Sequence, residues 1–332
     1  MTLRIYFTGE DLARTRIAGE CDAMWEVMLS LYRLRRRERT VVFDKWKQDI
    51  VAKVPAATRL LTTLAPERGY AVDFLTPRTE EGTLAAGLEA LRRTTRKRLR
   101  SDLWELSMRH PATRLPGWVN GLATGDQQAI GAVASAVEAY FGACLSPYWP
   151  RIQSQVARER ARRSTMLSQG GWGAVFSTLH PSARWSFPTL ELSYPADHDI
   201  HLNGRGLLLQ PSCFCRQTPI TLRDPDLPPV LVYPIEHDAG WAHDEANGGH
   251  PALRRLLGLT RTHVLETIAD GDCTTSELAR RLGIPGSTAS RQATALREAG
   301  LVRSQRLGQA VIHTVTDLGT ALLEGRRPAL MA

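Results

Sequence analysis

Hydrophobic and polar positions alternate and cycle along this chain in two textures, one before and one after about residue 181. Leu3 to Phe7 alternates as a short strand does, and Thr8-Gly9-Glu10-Asp11 then caps a brief helix, the acid standing three residues after the hydroxyl. Asp22 opens a stronger helix on which Trp25, Met28, Leu29 and Tyr32 share a face. Helical periodicity continues over 43–54, 57–64, 80–108 with a break, and 125–168, where Pro147 and Pro150 predict two helices rather than one. Beyond Pro181, Thr189 to Tyr194 alternates, and 206–210 and 230–233 are short apolar runs bounded by Gly and Pro, the pattern of buried strands. Residues 244–249 are small and polar and read as a hinge, after which a helix starts near Pro251. The fold class expected is α+β, mainly α. Three parts are expected: a helical domain over 1–180 for sensing or dimerisation, a small β-containing segment and linker over 181–250, and a helical-plus-strand module over 251–326.

That last module carries the most specific pattern. Thr274 and Glu277 have capping-box spacing, Leu278 and Leu282 fall on one helical face with small Ala279 beside them, and Gly283 ends the helix before an Ile284-Pro285-Gly286 turn. The next helix, about Gly286 to Ala299, has a thin core face of Ala289, Ala293 and Leu296. Its other positions are Ser287, Thr288, Ser290, Arg291, Gln292 and Thr294, a set of hydroxyls, an amide and a guanidinium. Simple solvation would favour Glu and Lys there. Base edges and phosphates in a major groove call for the groups that are present. Leu301 to Arg303 and Ala310 to Val315 then alternate as strands around Leu307-Gly308-Gln309, which completes a helix-turn-helix with a two-stranded wing. From Arg280 to Gln309 there are six arginines against Glu298 alone. The bland alternative is a generic amphipathic helix pair with solvated arginines; the wing at the correct distance argues against it.

The stretch THVLETIADGDCTTSELARRLGIPGSTASRQATALREAGLVRSQRLGQAVIHTVTDLGTALL resembles the winged helix of ArsR-type bacterial transcription regulators, through its ELARRLG, STASRQ and LREAGLV elements. The opening LRIYFTGEDLARTRIA and the later LVYPIEHD resemble a longer actinobacterial branch of that family whose front half has no assigned chemistry. The resemblance implies a homodimer on an inverted-repeat operator in double-stranded DNA and repression relieved by a signal, with a small-molecule effector as the candidate signal. Activation, or a protein-interaction adaptor using the winged helix as a docking surface, stays open. The family's metal sites do not carry over: the positions of its Cys-x-Cys pair read Thr274 and Ser276, Cys273 lies one residue earlier, and 317–324 contains no histidine. On this reading Ser287, Thr288, Ser290, Arg291, Gln292 and Thr294 meet bases and phosphates. Thr274, Thr275 and Arg297 anchor phosphates, and Arg303, Arg306 and Gln309 place the wing.

Composition modifies the picture only slightly. A chain of 332 residues has room for two or three cores, and a net charge of +8 favours a polyanionic partner. The arginine-heavy balance suits a high-GC genome equally well. Five cysteines without framework spacing fit a reducing cytoplasm. No leader opens the chain and no apolar run approaches a membrane span, so a cytoplasmic, nucleoid-associated protein without a membrane partner is expected. Residues 195–250 hold eight acids and three arginines and should face away from DNA.

Other constellations are weaker. Arg92 to Arg100 is the densest basic run, a second DNA contact or a solvated face; Arg158, Arg160, Arg162 and Arg163 read mainly as a solvated face. Cys213-Phe214-Cys215 has soft-metal spacing but lacks two further ligands, and either thiol would sense oxidants only if exposed with a depressed pKa. His237, Asp238, His243, Asp244 and His250 sit in what reads as a solvated linker. Trp172, Trp185, Tyr194, Cys213 and Cys215, with Phe187 and Trp241 nearby, are the candidates for an effector pocket, against the commoner use of aromatics as packing. No metal and no cofactor is expected. Catalytic motifs are missing (no G-x-S-x-G elbow, no phosphate loop, no H-E-x-x-H), so no enzyme is expected.

Overall fold

The computed structural model describes residues 1–35, 41–67, 69–110, 115–215, 218–237, 241, 253, 256–307 and 310–323. They fall into two compact units, Met1–Arg36 with Ile50–Glu236, and Arg37–Asp49 with His237–Ala332.

The first unit begins with β1 (Thr2–Tyr6), α1 (Gly9–Arg14), β2 (Arg16–Ile17) and α2 (Ala23–Arg35). Thr8 and Asp11 form the expected capping box, and Asp22 caps α2 by accepting from the amides of Met24 at 2.9 Å and Trp25 at 3.1 Å. The first nine residues of α2 are all buried, so it is a central helix rather than a one-faced surface helix. After α3 (Val41–Ile50), which belongs mostly to the other unit, come α4 (Thr58–Leu64), α5 (Leu84–Arg92), α6 (Arg96–Arg109), α7 (Trp118–Thr124), α8 (Gln127–Tyr140) and α9 (Trp149–Ser177). The expected break in 80–108 falls at Thr94-Thr95, where the Thr95 hydroxyl accepts from the Arg98 amide. Pro147 and Pro150 occupy the first turns of the 3-10 turn and of α9, where a missing N–H costs nothing, so they start helices there.

Helix α9 outruns the expected end at residue 168 and reverses at Gly171, whose φ of 63° breaks the helical path. The reversal is held by Arg163, which is only 2% exposed. Its guanidinium pairs with Glu159 at 2.6 Å and donates to the Thr178 hydroxyl at 2.6 Å and the Thr178 carbonyl at 3.0 Å. Fifteen residues of straight helix would span about 22 Å, far beyond an arginine's reach, so these bonds require the fold-back. The expectation of a solvated Arg163 is therefore corrected: a charge buried with its partner and every side of it hydrogen-bonded is a structural latch.

Strands β3 (Arg184–Ser186), β4 (Thr189–Ser193), β5 (His198–His201), β6 (Leu208–Ser212), β7 (Ile220–Thr221) and β8 (Val230–Pro234) complete two four-stranded sheets, ordered β3-β4-β1-β5 and β2-β6-β8-β7. Leu3 opposes Leu192 and Ile5 opposes Leu190, so the alternation read from the sequence turns these four side chains to one buried face. All of Val230 to Tyr233 is buried, as a strand covered on both faces requires. Because β1 and β2 hydrogen-bond to strands from beyond residue 184, the segments 1–180 and 181–250 share these sheets instead of forming separate cores. Strands β2, from the opening motif, and β8, from LVYP, flank β6 in one sheet, while β1, from the same opening motif, lies in the other.

One stretch within Gln127–Ser177 is, by length and composition alone, long and apolar enough to cross a membrane, contrary to expectation; 44% of it is buried inside the protein. The alanine- and valine-rich face of α8 supplies the apolar count, and Ile130, Val133, Ala134 and Val137 spend it on the core.

The second unit contains α3, with Phe43 and Trp46 fully buried, and the module from Leu259 onward. The Trp241 indole donates to the Val42 carbonyl at 2.8 Å and packs edge-on against Phe43. Helix α10 (Leu259–Ala269), β9 (Cys273–Thr274), α11 (Thr275–Leu282), α12 (Gly286–Glu298), β10 (Val302–Leu307), β11 (Ala310–Val315) and α13 (Asp317–Leu323) follow. Their core joins Val264, Leu265, Ile268, Leu278, Ala289, Ala293, Leu296, Leu301, Val302 and Leu323.

Candidate nucleic-acid interface

Helix α11 starts where the sequence places it. The Thr274 amide donates to the Glu277 carboxylate at 2.8 Å, and the Glu277 amide donates back to the Thr274 hydroxyl at 3.2 Å. Gly283, at φ 61°, closes the helix in the left-handed conformation, and the Ile284 amide returns to the Ala279 carbonyl at 3.0 Å. Pro285 then leads into α12. Ala289, Ala293 and Leu296 are fully buried, which fixes the rotation of α12 about its axis.

With the helix so rotated, Ser287, Ser290, Arg291, Thr294 and Arg297 are exposed, and Thr288 and Gln292 are half-buried on its flank. The outward side is therefore polar and, apart from Glu298, free of acids. Arg303 and Arg306 are exposed on β10, which pairs antiparallel with β11 as far as Leu307 opposite Ala310. Gln309 lies outside the described residues. Strand β10 is longer than the expected Leu301–Arg303 because Ser304 to Leu307 stay paired with His313 to Ala310, mostly through polar residues that hydrophobic patterning overlooks.

Not every expected contact residue is free. The Thr274 hydroxyl also donates to Glu277 at 3.0 Å, and the Thr275 hydroxyl pairs with His313 Nε2 at 2.9 Å. The Gln292 carbonyl oxygen accepts from the Arg261 guanidinium at 3.0 Å. His313 is the residue that sequence reasoning missed. Only 4% exposed, it joins α11 through Thr275 and the wing through Ser304, whose hydroxyl lies 2.8 Å from Nδ1. Burial lowers its pKa from the usual histidine value. Its position on an alternating strand was a usable signal, since an inward-phase histidine in a small core needs partners.

The effector candidates of the first unit do not converge as a group. Trp172 stacks on Phe176 at 5.5 Å, and Trp185 lies 4.8 Å from Phe176 and edge-on to Phe7 at 5.3 Å, all within one apolar core. Tyr194 packs on the rim of that core and stacks with His198 at 6.4 Å. Trp241 belongs to the other unit. Cys213 and Cys215 are buried, and burial pushes the Cys213 thiol well up and that of Cys215 to about 12, opposite to what oxidant sensing needs. Among the described residues no three His, Cys, Asp or Glu side chains group to hold a metal ion. Of the linker set, His237 packs against Phe43, and Asp238, His243, Asp244 and His250 lie outside the described residues.

Residues 257–309 match the model of the MarR family, and this span runs from α10 into the wing. Neither a curated protein nor a solved structure matches the chain. The matching model is thus MarR, where the sequence resemblance pointed to the ArsR type. Both readings coincide at the level of the winged helix-turn-helix. The match supports a DNA-binding transcription regulator whose C-terminal module is that winged helix.

Proposed function

We propose that this protein is a sequence-specific regulator that binds double-stranded DNA as a homodimer on an inverted repeat. It acts as a repressor and is released when a signal reaches the first unit. The observation that carries the reading is the outward face of α12, where Ser287, Ser290, Arg291 and Thr294 stand opposite the buried Ala289, Ala293 and Leu296. Arg291 is assigned to bidentate guanine recognition, worth about 1–3 kcal/mol of base discrimination. Arg297, Arg303 and Arg306 hold phosphates. Thr274 and Thr275 serve the same end indirectly, by fixing the start of α11 and its link to His313. Half-sites about 34 Å apart demand a rigid dimer, so a small rotation between protomers releases both. The reading is of a cytoplasmic protein with no enzymatic step.

Selection of bound duplexes from genomic fragments tests it. Arg291→Ala should lose preference for the selected site while keeping its binding to random DNA. Equal loss on both, or absence of binding by the wild-type protein at low salt, overturns the reading.

A further inference from the structure

Gln292 stands at the margin of the α12 core, with buried Ala289 three residues before it, buried Ala293 beside it and buried Leu296 four residues after. Base-reading positions lie further out, at Ser287, Arg291 and Thr294. The Gln292 carbonyl oxygen is turned toward its own module, where the Nε of Arg261 in the first turn of α10 donates to it at 3.0 Å. Both side chains are half-buried.

This bond decides what the pair presents outward. Glutamine reads adenine by offering its oxygen and its amine together. Here Arg261 takes one lone pair of the oxygen, so the Gln292 Nε2 amine and the oxygen's second lone pair are what remain. Arg261 has used Nε and keeps both Nη amines. An arginine has no acceptor, so apart from the second lone pair of the Gln292 oxygen every remaining polar group of the pair is a donor, and the pair carries one positive charge. A base edge offers donors and acceptors in mixture. A phosphodiester offers acceptors only and a negative charge, which an arginine fork fits well.

We infer that Arg261 and Gln292 form a phosphate clamp, in which α10 and the flank of α12 together grip one backbone phosphate of the bound duplex. The clamp rests on the DNA-binding reading above and adds to it Arg261, a residue outside the helix-turn-helix. It also moves Gln292 from base reading to backbone positioning. A clamp built across two helices fixes the angle at which α12 enters the groove, as phosphate contacts do in general.

The test uses the full chain and short duplexes in two forms, a random pool and a site selected from it. Arg261→Ala should weaken binding to both by the same factor and reduce the slope of log affinity against log salt by about one. Gln292→Glu, which ties Arg261 into an ion pair, should do the same, with circular dichroism showing the fold intact. Replacing single phosphates of the selected site by uncharged methylphosphonate should reveal one position per half-site where the wild type loses affinity and Arg261→Ala loses none. Two results overturn the clamp while leaving the DNA-binding reading intact: a changed base preference at an unchanged salt slope, or unchanged binding by both variants. Absence of DNA binding by the wild type instead removes the reading on which the clamp stands.

Discussion

The Nε2 atom of His313 in the wing lies 2.9 Å from the hydroxyl of Thr275 at the first position of α11. Its other nitrogen meets Ser304, so a single imidazole fastens the strand pair to α11. Replacing it by leucine removes two part-buried hydrogen bonds, at about 1 kcal/mol each. His313→Leu should therefore speed amide exchange over 273–315 and weaken binding to every duplex alike. Unchanged exchange in the wing would mean that the imidazole is only filling space.

The same residue sets a pH dependence. Because burial depresses its folded pKa, the unfolded module takes up a proton first as pH falls. The winged helix should lose stability progressively below about pH 6.5, where an unfolded histidine titrates. In the first unit the sign is reversed. Burial raises Glu26 to about 7, and burial with the charge of Asp73 raises Asp102 to about 7. Groups whose folded pKa is raised stabilise at low pH and lose that contribution as pH climbs through the folded value. Between about pH 5 and 7 the two units should thus respond oppositely, the protection factors of 259–323 falling in acid and those of 23–35 rising. Parallel responses in site-resolved hydrogen exchange would show that these groups do not govern the window.

The cap of α11 gives a prediction of local size. Thr274 satisfies the Glu277 amide, and Glu277 satisfies that of Thr274. Thr274→Ala should cost about 1 kcal/mol of module stability. Thr274→Ser should cost little, because the hydroxyl is what is used. If serine is as damaging as alanine, the methyl group's packing matters more than the cap.

How much of this was legible in the sequence depended on the range of the interaction. Caps, the Gly283 stop and the rotation of α12 follow from residues within four positions of each other, and they stand where the pattern puts them. The pairing of β1 with β4 spans nearly the whole first unit, and nothing local in Leu3 to Tyr6 names its partner. Arg163 read as one of several solvated arginines because its latch depends on a reversal at Gly171 that only a positive φ reveals. Trp172 and Trp185 read equally as pocket or core, and ring contacts with Phe176 had to decide. At the interface, Arg261 gave no local sign, since its partner Gln292 is 31 positions away on another helix.

The Arg163 latch predicts a large effect on the stability of the first unit. With Arg163 removed, Glu159 keeps only the partly exposed Arg162 as its partner, which puts the cost below the about 3–5 kcal/mol of a buried charge left with none. Arg163→Ala should destabilise the first unit by less than that in chemical denaturation, and Glu159→Gln in the same chain should recover part of it. No recovery would place the cost in lost packing against Tyr233, whose ring the guanidinium covers at 5.4 Å, and not in charge.

Gly319 supplies the sharpest steric test. It is buried in α13, and a Cβ built there collides with the backbone carbonyl oxygen of Leu301, just beyond α12, and crowds Val315 at 2.8 Å. The colliding atom is backbone, and Leu301 is a core residue whose amide is bonded to the Leu296 carbonyl, so relief requires moving the main chain that follows α12. Overpacking of this kind costs about 1–3 kcal/mol when the surroundings give way, and more when they are main chain. Gly319→Ala should therefore lower the stability of 259–323 and abolish specific binding, although residue 319 carries no group that DNA could contact. Thr320→Ala, one position on, should leave binding nearly unchanged. If Gly319→Ala binds like the wild type, α13 is free to shift and does not hold α12 in place.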